Sequence, residues 1–366
     1  MKFEIEKGVF LRAIKNTLEI TKGGEVVFIL GHVLIETGKN KISITAMDGS
    51  SLSSIEDCEA TINEAGSIVL PARMLFKMVN ELPEGTLLFR KKGNNWVQLL
   101  CGKVVYNLPG LPANDFPVVK METDIEFCNV KSENILEMQN KVSFAISSEE
   151  TRPSLNGALL ESKRKGKSHT VKMVATDGHR LSVVEKVFYF LELEKGILIP
   201  VKGLLEIKQF AGGVKEFEMG ISDSFCILRT DTRNLRISFI DAEFPDYNRV
   251  IPKEVTASIE VNTGVFLLAL NRMAVIVDEH YSASSLSFSK GQLEMTMTHP
   301  DLGDVRDTIK IEYDGEPFEK LFNTKYLIDA VGGISGDSFF IDCAELGMIL
   351  REEDNSYFCV VMGVRV

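Results

Sequence analysis

The segments KFEIEKGVFLRAIKN (Lys2 to Asn16), EFCNVKSENILEMQNKV (Glu126 to Val142) and SIEVNTGVFLLALNRM (Ser258 to Met273) share one pattern: a short apolar strand, a polar or turn residue, then an amphipathic helix. A second set follows them: SIVLPARMLFKMVNEL (Ser67 to Leu82), GILIPVKGLLEIKQF (Gly196 to Phe210) and EKLFNTKYLIDAVGGI (Glu319 to Ile334). Pro71 and Pro200 lie 129 residues apart, and Asn323, which holds the same place in the third copy, lies 123 residues beyond Pro200. A period that long exceeds a solenoid unit and has the size of a domain. The chain therefore reads as three similar domains in tandem, 1–124, 125–254 and 255–366.

Two further echoes support the triplication. TAMDGSSLS (Thr45 to Ser53) recurs as VATDGHRLS (Val174 to Ser182), and LPANDFPVV (Leu111 to Val119) is answered by IDAEFPDYNRV (Ile240 to Val250). The third copy lacks both landmarks, with MTMTHPDLGD at the first and the ending FCVVMGVRV at the second. Between the helical segments, 33–48, 158–177 and 285–298 alternate apolar and polar residues across short turns, the pattern of antiparallel hairpins. Two helices per repeat beside such hairpins predict an α+β fold with helices packed on antiparallel sheets and the sheet outside. The apolar stripe of the first helix is expected at Val9, Phe10, Ala13, Ile14 and Leu18, seated against a sheet.

Composition agrees. Of 366 residues 45% are hydrophobic, which suits ordinary cores of roughly 120 residues each. No apolar run approaches the ~18 residues that span a bilayer, and MKFEIEKG is acidic where a signal peptide would be apolar. The six cysteines (58, 101, 128, 226, 343, 359) show no C-x-x-C pair and read as free thiols in a reducing cytoplasm. The formal charge of −11 is concentrated in residues 255–366, which hold 8 basic and 18 acidic side chains. That balance argues against a protein that grips DNA through a broad basic surface. Locally the helices offer Arg12, Lys15, Lys77, Lys141, Lys202, Lys208, Arg272 and Lys325 on their polar faces, set against Glu133, Glu137, Glu206 and Asp329.

Catalytic chemistry finds little footing. GKS (Gly166 to Ser168) looks like the end of a P-loop, but Glu161 stands where that pattern needs glycine. The five histidines show no metal spacing, and no G-x-S-x-G, H-E-x-x-H or G-x-G-x-x-G occurs. Asp177 with His179 and Arg180 could form an acid/base group. Asp48, however, occupies the same turn in the first repeat beside Ser50 and Ser51, so a turn aspartate explains the shared Asp-Gly. No catalytic residue, cofactor or metal is expected.

The strings ATDGHRL (Ala175 to Leu181), FPDYNRV (Phe244 to Val250), PARMLFKMV (Pro71 to Val79), LPANDFP (Leu111 to Pro117) and VVMGVRV (Val360 to Val366), in this three-domain order, resemble the bacterial DNA polymerase III beta subunit family, the sliding clamps. The resemblance implies a head-to-tail homodimer whose six domains form a closed ring around double-stranded DNA. It also implies loading by an ATP-driven clamp loader, and short linear motifs by which the polymerase III catalytic subunit and other clamp-binding proteins attach. Simple geometry fits a dimer: three touching spheres of ~120-residue domains, each about 35 Å across, enclose a gap of about 5 Å, whereas six in a planar ring enclose about 35 Å.

Carried onto matching positions, the partner-peptide pocket would comprise Leu155, Thr176, Gly178, His179, Arg180 and Leu181, with Pro245, Arg249 and Val250, and Val360, Val361, Met362 and Arg365 from the tail. Aliphatic and methionine side chains supply an adaptable groove while arginine stems pack with their heads in water. Arg12, Arg73, Lys77, Lys202 and Arg272 are the candidate DNA-facing cations. At the dimer interface Tyr106 and Leu108 would meet Val275 and Ile276, supported by Lys103 or Arg73 against Asp301 and Asp304. The chain departs from the family pattern at Gly24, Glu149, Pro153 and Ser154, where auxiliary DNA contacts are common. It departs again at Gly363 and Val364, which leave a shallower, more flexible rim. An alternative is an adaptor that binds peptides at the same groove without encircling DNA.

Overall fold

The computed structural model describes residues 1–25, 27–119, 121–122, 124–149, 151–165, 168–188, 193 and 195–364. They form two compact units, Met1–Ser132 with Leu205–Phe239 and Glu133–Leu204 with Ile240–Val366. Among the described residues six α-helices stand where the paired segments predict them: α1 (Lys7–Thr17), α2 (Ala72–Asn80), α3 (Ser132–Val142), α4 (Val201–Gly212), α5 (Thr263–Met273) and α6 (Thr324–Gly332). None is long and apolar enough to cross a membrane.

The first unit holds a five-stranded antiparallel sheet in the order Thr61–Glu64, Lys2–Glu6, Thr86–Lys91, Trp96–Cys101, Val104–Pro109. Its second sheet has eight strands: Phe127–Lys131, Glu216–Ile221, Phe225–Arg229, Arg233–Ser238, Leu52–Glu59, Lys41–Met47, His32–Thr37, Ser67–Pro71. The second unit repeats this plan. Eight strands run Ile197–Pro200, Gly157–Lys165, Ser168–Thr176, Arg180–Phe188, Tyr357–Met362, Gly347–Arg351, Ser338–Ala344, Ala257–Asn262, and four run Gly303–Lys310, Gln292–His299, Ala283–Ser289, Phe318–Asn323.

The middle and third repeats each contribute two four-stranded half-sheets, the first contributes one of four strands and one of five, with Thr61–Glu64 as the addition, and the eight-stranded sheets are fusions of half-sheets from successive repeats. Arg233–Ser238 of the middle repeat pairs with Leu52–Glu59 of the first, and Tyr357–Met362 of the third pairs with Arg180–Phe188 of the middle. Continuous main-chain hydrogen bonding at these seams removes two pairs of open edges. It also explains why compactness divides the middle repeat between the two units, although the sequence repeats as three.

Local packing follows the periodicities. In α1 the buried positions are Lys7, Phe10, Ala13, Ile14 and Thr17, the i, i+3, i+7 stripe of a helix seated on a sheet. Phe10 meets Phe3 and Phe89 edge-on, and those two rings stack at 4.5 Å across paired strands. The third repeat copies the motif with Phe266 of α5 against Phe339 at 5.5 Å. Truncating such a buried ring costs about 3–5 kcal/mol.

Three expectations are corrected. Val9 is exposed and lies off the stripe, its place on the buried face taken by the Lys7 stem, whose ammonium reaches Glu84 at 3.0 Å. Lys141 is not on a solvated face: it is buried beneath Tyr357 and paired with Glu352 at 2.7 Å. Glu206 is buried too, 3.6 Å from Arg233. In each case a partner distant in sequence makes the burial of charge tolerable.

Candidate functional site

The recurrent Asp-Gly turn is built the same way twice. Asp48 Oδ1 accepts from the backbone N–H groups of Ser50, Ser51 and Leu52 at 2.8–3.0 Å, and Asp177 Oδ1 accepts from those of His179 and Arg180 at 2.9 and 3.0 Å. Gly49 and Gly178 follow with φ of +84° and +90°, a conformation that glycine adopts without strain. The third repeat keeps the turn under a different sequence. His299 Nδ1 accepts from the N–H groups of Asp301 and Leu302, and Gly303 takes the positive φ. Because Nδ1 accepts, the ring proton sits on Nε2, which donates to Asp278 at 2.9 Å. That hydrogen bond holds the Asp278 carboxyl down at about 2.

Arg180 emerges from the second turn into a closed cage. Its Nε donates to Asp177 Oδ2 at 3.0 Å, Nη1 to Asp329 at 2.6 Å and Nη2 to the Phe144 carbonyl. The guanidinium lies 4.3 Å from the Tyr326 ring centroid and 5.0 Å from that of Phe144. At 9% exposure it is a structural hub with its donors engaged, not a side chain held out to a ligand. His179, by contrast, is exposed and lies parallel to Tyr326 at 6.3 Å. Such an arrangement carries no nucleophile or acid/base pair, since Asp177 spends its oxygens on the turn and on Arg180.

The other pocket positions separate into floor and rim. Leu181 and Val360 belong to a buried cluster with Val174, Val183, Tyr247 and Ile349, against which Phe244 and Phe358 pack. Tyr247 is anchored by its hydroxyl on Glu161. Leu155 and Val361 are buried as well. Thr176 is partly buried and donates to the Arg180 carbonyl at 2.7 Å, so it belongs to the turn. Gly178, Pro245, Arg249 and Val250 are exposed, Arg249 pairs with Asp246 at 3.0 Å, and Met362 is half-buried. Arg365 lies outside the described residues. Phe244 and Tyr247 were missed among the expected pocket residues although FPDYNRV contains both, and only folding brings Ile349 and Phe358 beneath the same surface.

Arg12, Arg73, Lys77, Lys202 and Arg272 are all exposed on their helices, and Arg272 is engaged by Asp307. Of the interface candidates, Val275 is 78% exposed, Tyr106 and Ile276 are half-buried, and Leu108, at 3%, faces its own core. Leu108 therefore offers no contact surface. No group of three or more potential metal ligands occurs among the described residues. All six cysteines are free, and burial pushes the Cys58 and Cys226 thiols up to about 12 and Cys343 to about 11, which keeps them protonated and unreactive. The GKS tract falls partly outside the described residues.

Three family models match in order: the N-terminal domain of the DNA polymerase III beta subunit over residues 1–120, its central domain over 129–246 and its C-terminal domain over 248–364. A beta sliding clamp of Caulobacter vibrioides is 29% identical and one of Vibrio cholerae 25%, each aligned over the whole of both chains. Among solved structures, a DNA polymerase sliding clamp from Caulobacter crescentus is similar with a TM-score of 0.93 at 29% identity, covering all of both chains. A sliding clamp from Bartonella birtlesii bound to griselimycin is similar at 0.91 and 26%, again over the full length of both. With the triplicated half-sheets and the shared turn, these matches establish that the chain belongs to the DNA polymerase III beta subunit family, the sliding clamps.

Proposed function

We propose that the protein is a non-catalytic processivity factor that closes as a head-to-tail homodimer around double-stranded DNA and tethers a replicative polymerase in the cytoplasm. The observation that carries this reading is a pair of unmatched sheet edges. Val104–Pro109 is the first-repeat counterpart of Arg233–Ser238 and Tyr357–Met362, yet among the described residues it has no outer neighbour. Gly303–Lys310 is the third-repeat counterpart of Leu52–Glu59 and Arg180–Phe188, and it too ends its sheet. Two seams are made inside one chain, and one half of a third seam is left at each end. A second copy supplies the missing halves through a heterologous contact, which either closes or propagates. Exposed Val104 and Val105 on one edge and Val275 and Leu302 beside the other supply apolar surface. Lys103 against Asp301 and Asp304 adds charge complementarity worth at most ~1 kcal/mol per exposed pair.

Binding to DNA would then be topological. Sparse cations such as Arg12, Lys77 and Lys202 attract phosphates without reading sequence, while ring closure prevents escape. Partner peptides, including those of the polymerase catalytic subunit and the clamp loader, would lie over the floor of Leu181, Val360 and Tyr247, between Pro245, Val250 and Met362. Gly363 and Val364 make that rim short.

Retention on nicked circular DNA that is lost when the circle is linearised is the expected outcome. An adaptor would show neither behaviour. Val275→Ala combined with Ile276→Ala should sediment as a monomer, and an undiminished dimer would reject this interface. His179→Ala, or removal of residues 362–366, should weaken a polymerase-derived glutamine-hydrophobic peptide and leave the dimer intact.

A further inference from the structure

We propose that His299 is a positioning residue for dimer closure: its imidazole fixes, within one chain, the two elements of the third repeat that a second copy must meet. The inference rests on the head-to-tail dimer reading. His299 ends the strand Gln292–His299 and pairs with Gly303, so it sets where the open edge Gly303–Lys310 begins. Its Nδ1 accepts from the N–H groups of Asp301 and Leu302 at 3.1 and 3.2 Å, closing the turn that carries Leu302, 59% exposed. Through Nε2 the same ring reaches Asp278 at 2.9 Å, three residues beyond the exposed Val275. Asp278 is itself held: its Oδ1 accepts from the backbone N–H groups of His280 and Tyr281 at 2.8 and 2.6 Å, and its own N–H donates to the Tyr281 carbonyl at 3.0 Å. The Tyr281 ring meets the imidazole edge-on at 4.8 Å, and His299 is buried.

The other two repeats build this turn without such a link. Asp48 spends its second oxygen on Ser51 and Asp177 spends its own on Arg180, both within their own turns. Those turns belong to the two seams completed inside the chain. Where the edge is left open, the turn residue instead reaches 21 positions back, to the segment that follows α5 and carries Val275 and Ile276. A docking surface made of two separate loops must be ordered on association unless the free subunit has already ordered it. One ring with two engaged nitrogens does that for both loops at once, and each nitrogen has a distinct share.

The test uses the full-length protein in sedimentation equilibrium. Asparagine places an oxygen where Nδ1 stands and keeps the turn, whereas glutamine places an N–H where Nε2 stands and keeps the link to Asp278. His299→Asn and His299→Gln should each raise the dimer dissociation constant, by roughly 10- to 100-fold for one or two backbone residues newly ordered on docking. Amide protection at Asp301 and Leu302 should survive in His299→Asn and be lost in His299→Gln, a split that a general loss of stability would not produce. Adding Asp278→Asn to His299→Asn should weaken the dimer no further. Unchanged constants in both single variants, or effects of His299→Asn and Asp278→Asn that multiply in full, overturn the proposal. Hydrogen exchange of the unsubstituted protein supplies a check that needs no variant. Residues 299–303 should be equally protected above and below the dimer dissociation constant; protection that arises only in the dimer overturns the proposal too. If the unsubstituted protein stays monomeric at every concentration, the dimer reading and this inference fall together; if it forms a dimer indifferent to His299, only this inference falls.

Discussion

Arg180 shows how one residue can be misread from its neighbours in sequence. Beside His179 in an exposed turn it looks like a ligand-facing cation, but Asp329, 149 positions away, and the Phe144 carbonyl claim its guanidinium. Removing one partner of such a buried pair strands the other. Arg180→Met should therefore lower the stability of the second unit by roughly 3–5 kcal/mol, read as a fall in urea midpoint at unchanged slope. Asp177→Asn keeps the acceptor that closes the turn and loses only the carboxylate facing Nε, so it should cost about 1–3 kcal/mol. Equal effects would mean that the turn, rather than the ion pair, carries the site.

Among the elements, helix starts differ between repeats that share a fold. Asn323 accepts from the N–H groups of Lys325 and Tyr326 at 3.0 and 3.2 Å, and Asn262 caps α5 by accepting from Val265. The equivalent position of α2 is Pro71, which has no side-chain cap but brings a φ of −65° already suited to a helix start. Asn323→Ala should cost about 1–2 kcal/mol and speed hydrogen exchange at the Lys325 and Tyr326 amides. Unchanged exchange there would show that the flanking sheet, not the cap, sets the first turn. The hairpins and all six helices were legible because their periodicities of 2 and 3.6 are local. The His299 turn was not, since an imidazole stands in for a carboxylate and no spacing signals that substitution.

For the whole molecule, the seam that joins the first and middle repeats carries a buried charge cluster. Arg233 lies 2.5 Å from Glu56 and 3.6 Å from Glu206, with its guanidinium over the Phe210 ring. Burial pushes both carboxyls up to about 7, outweighing the opposing pull of Arg233. The folded state then holds protons that an unfolded chain, with carboxyls near 4.5, has already released. The associated stability is fully present below about pH 4.5 and is lost as the pH rises through about 7. Glu206→Gln should accordingly raise the melting temperature at pH 8, by roughly 1–3 kcal/mol in stability, and change it little at pH 5. A variant that destabilises equally at both values would show that Glu206 is held ionised by Arg233.

Repetition, turn chemistry and amphipathic period are properties of short stretches, and the sequence by itself determined them: three repeats, two helices in each, hairpins between, and the Asp48 and Asp177 turns. Burial of Lys141, Arg180, Glu206 and Arg233 was decided only by tertiary structure, because each depends on a partner from another element, in the case of Lys141 one 211 residues away. The same holds for the seams. Which strand lies beside which is settled by hydrogen-bond ladders that no local pattern encodes, and among the described residues those ladders leave Val104–Pro109 and Gly303–Lys310 without the neighbour that their counterparts in the other repeats have.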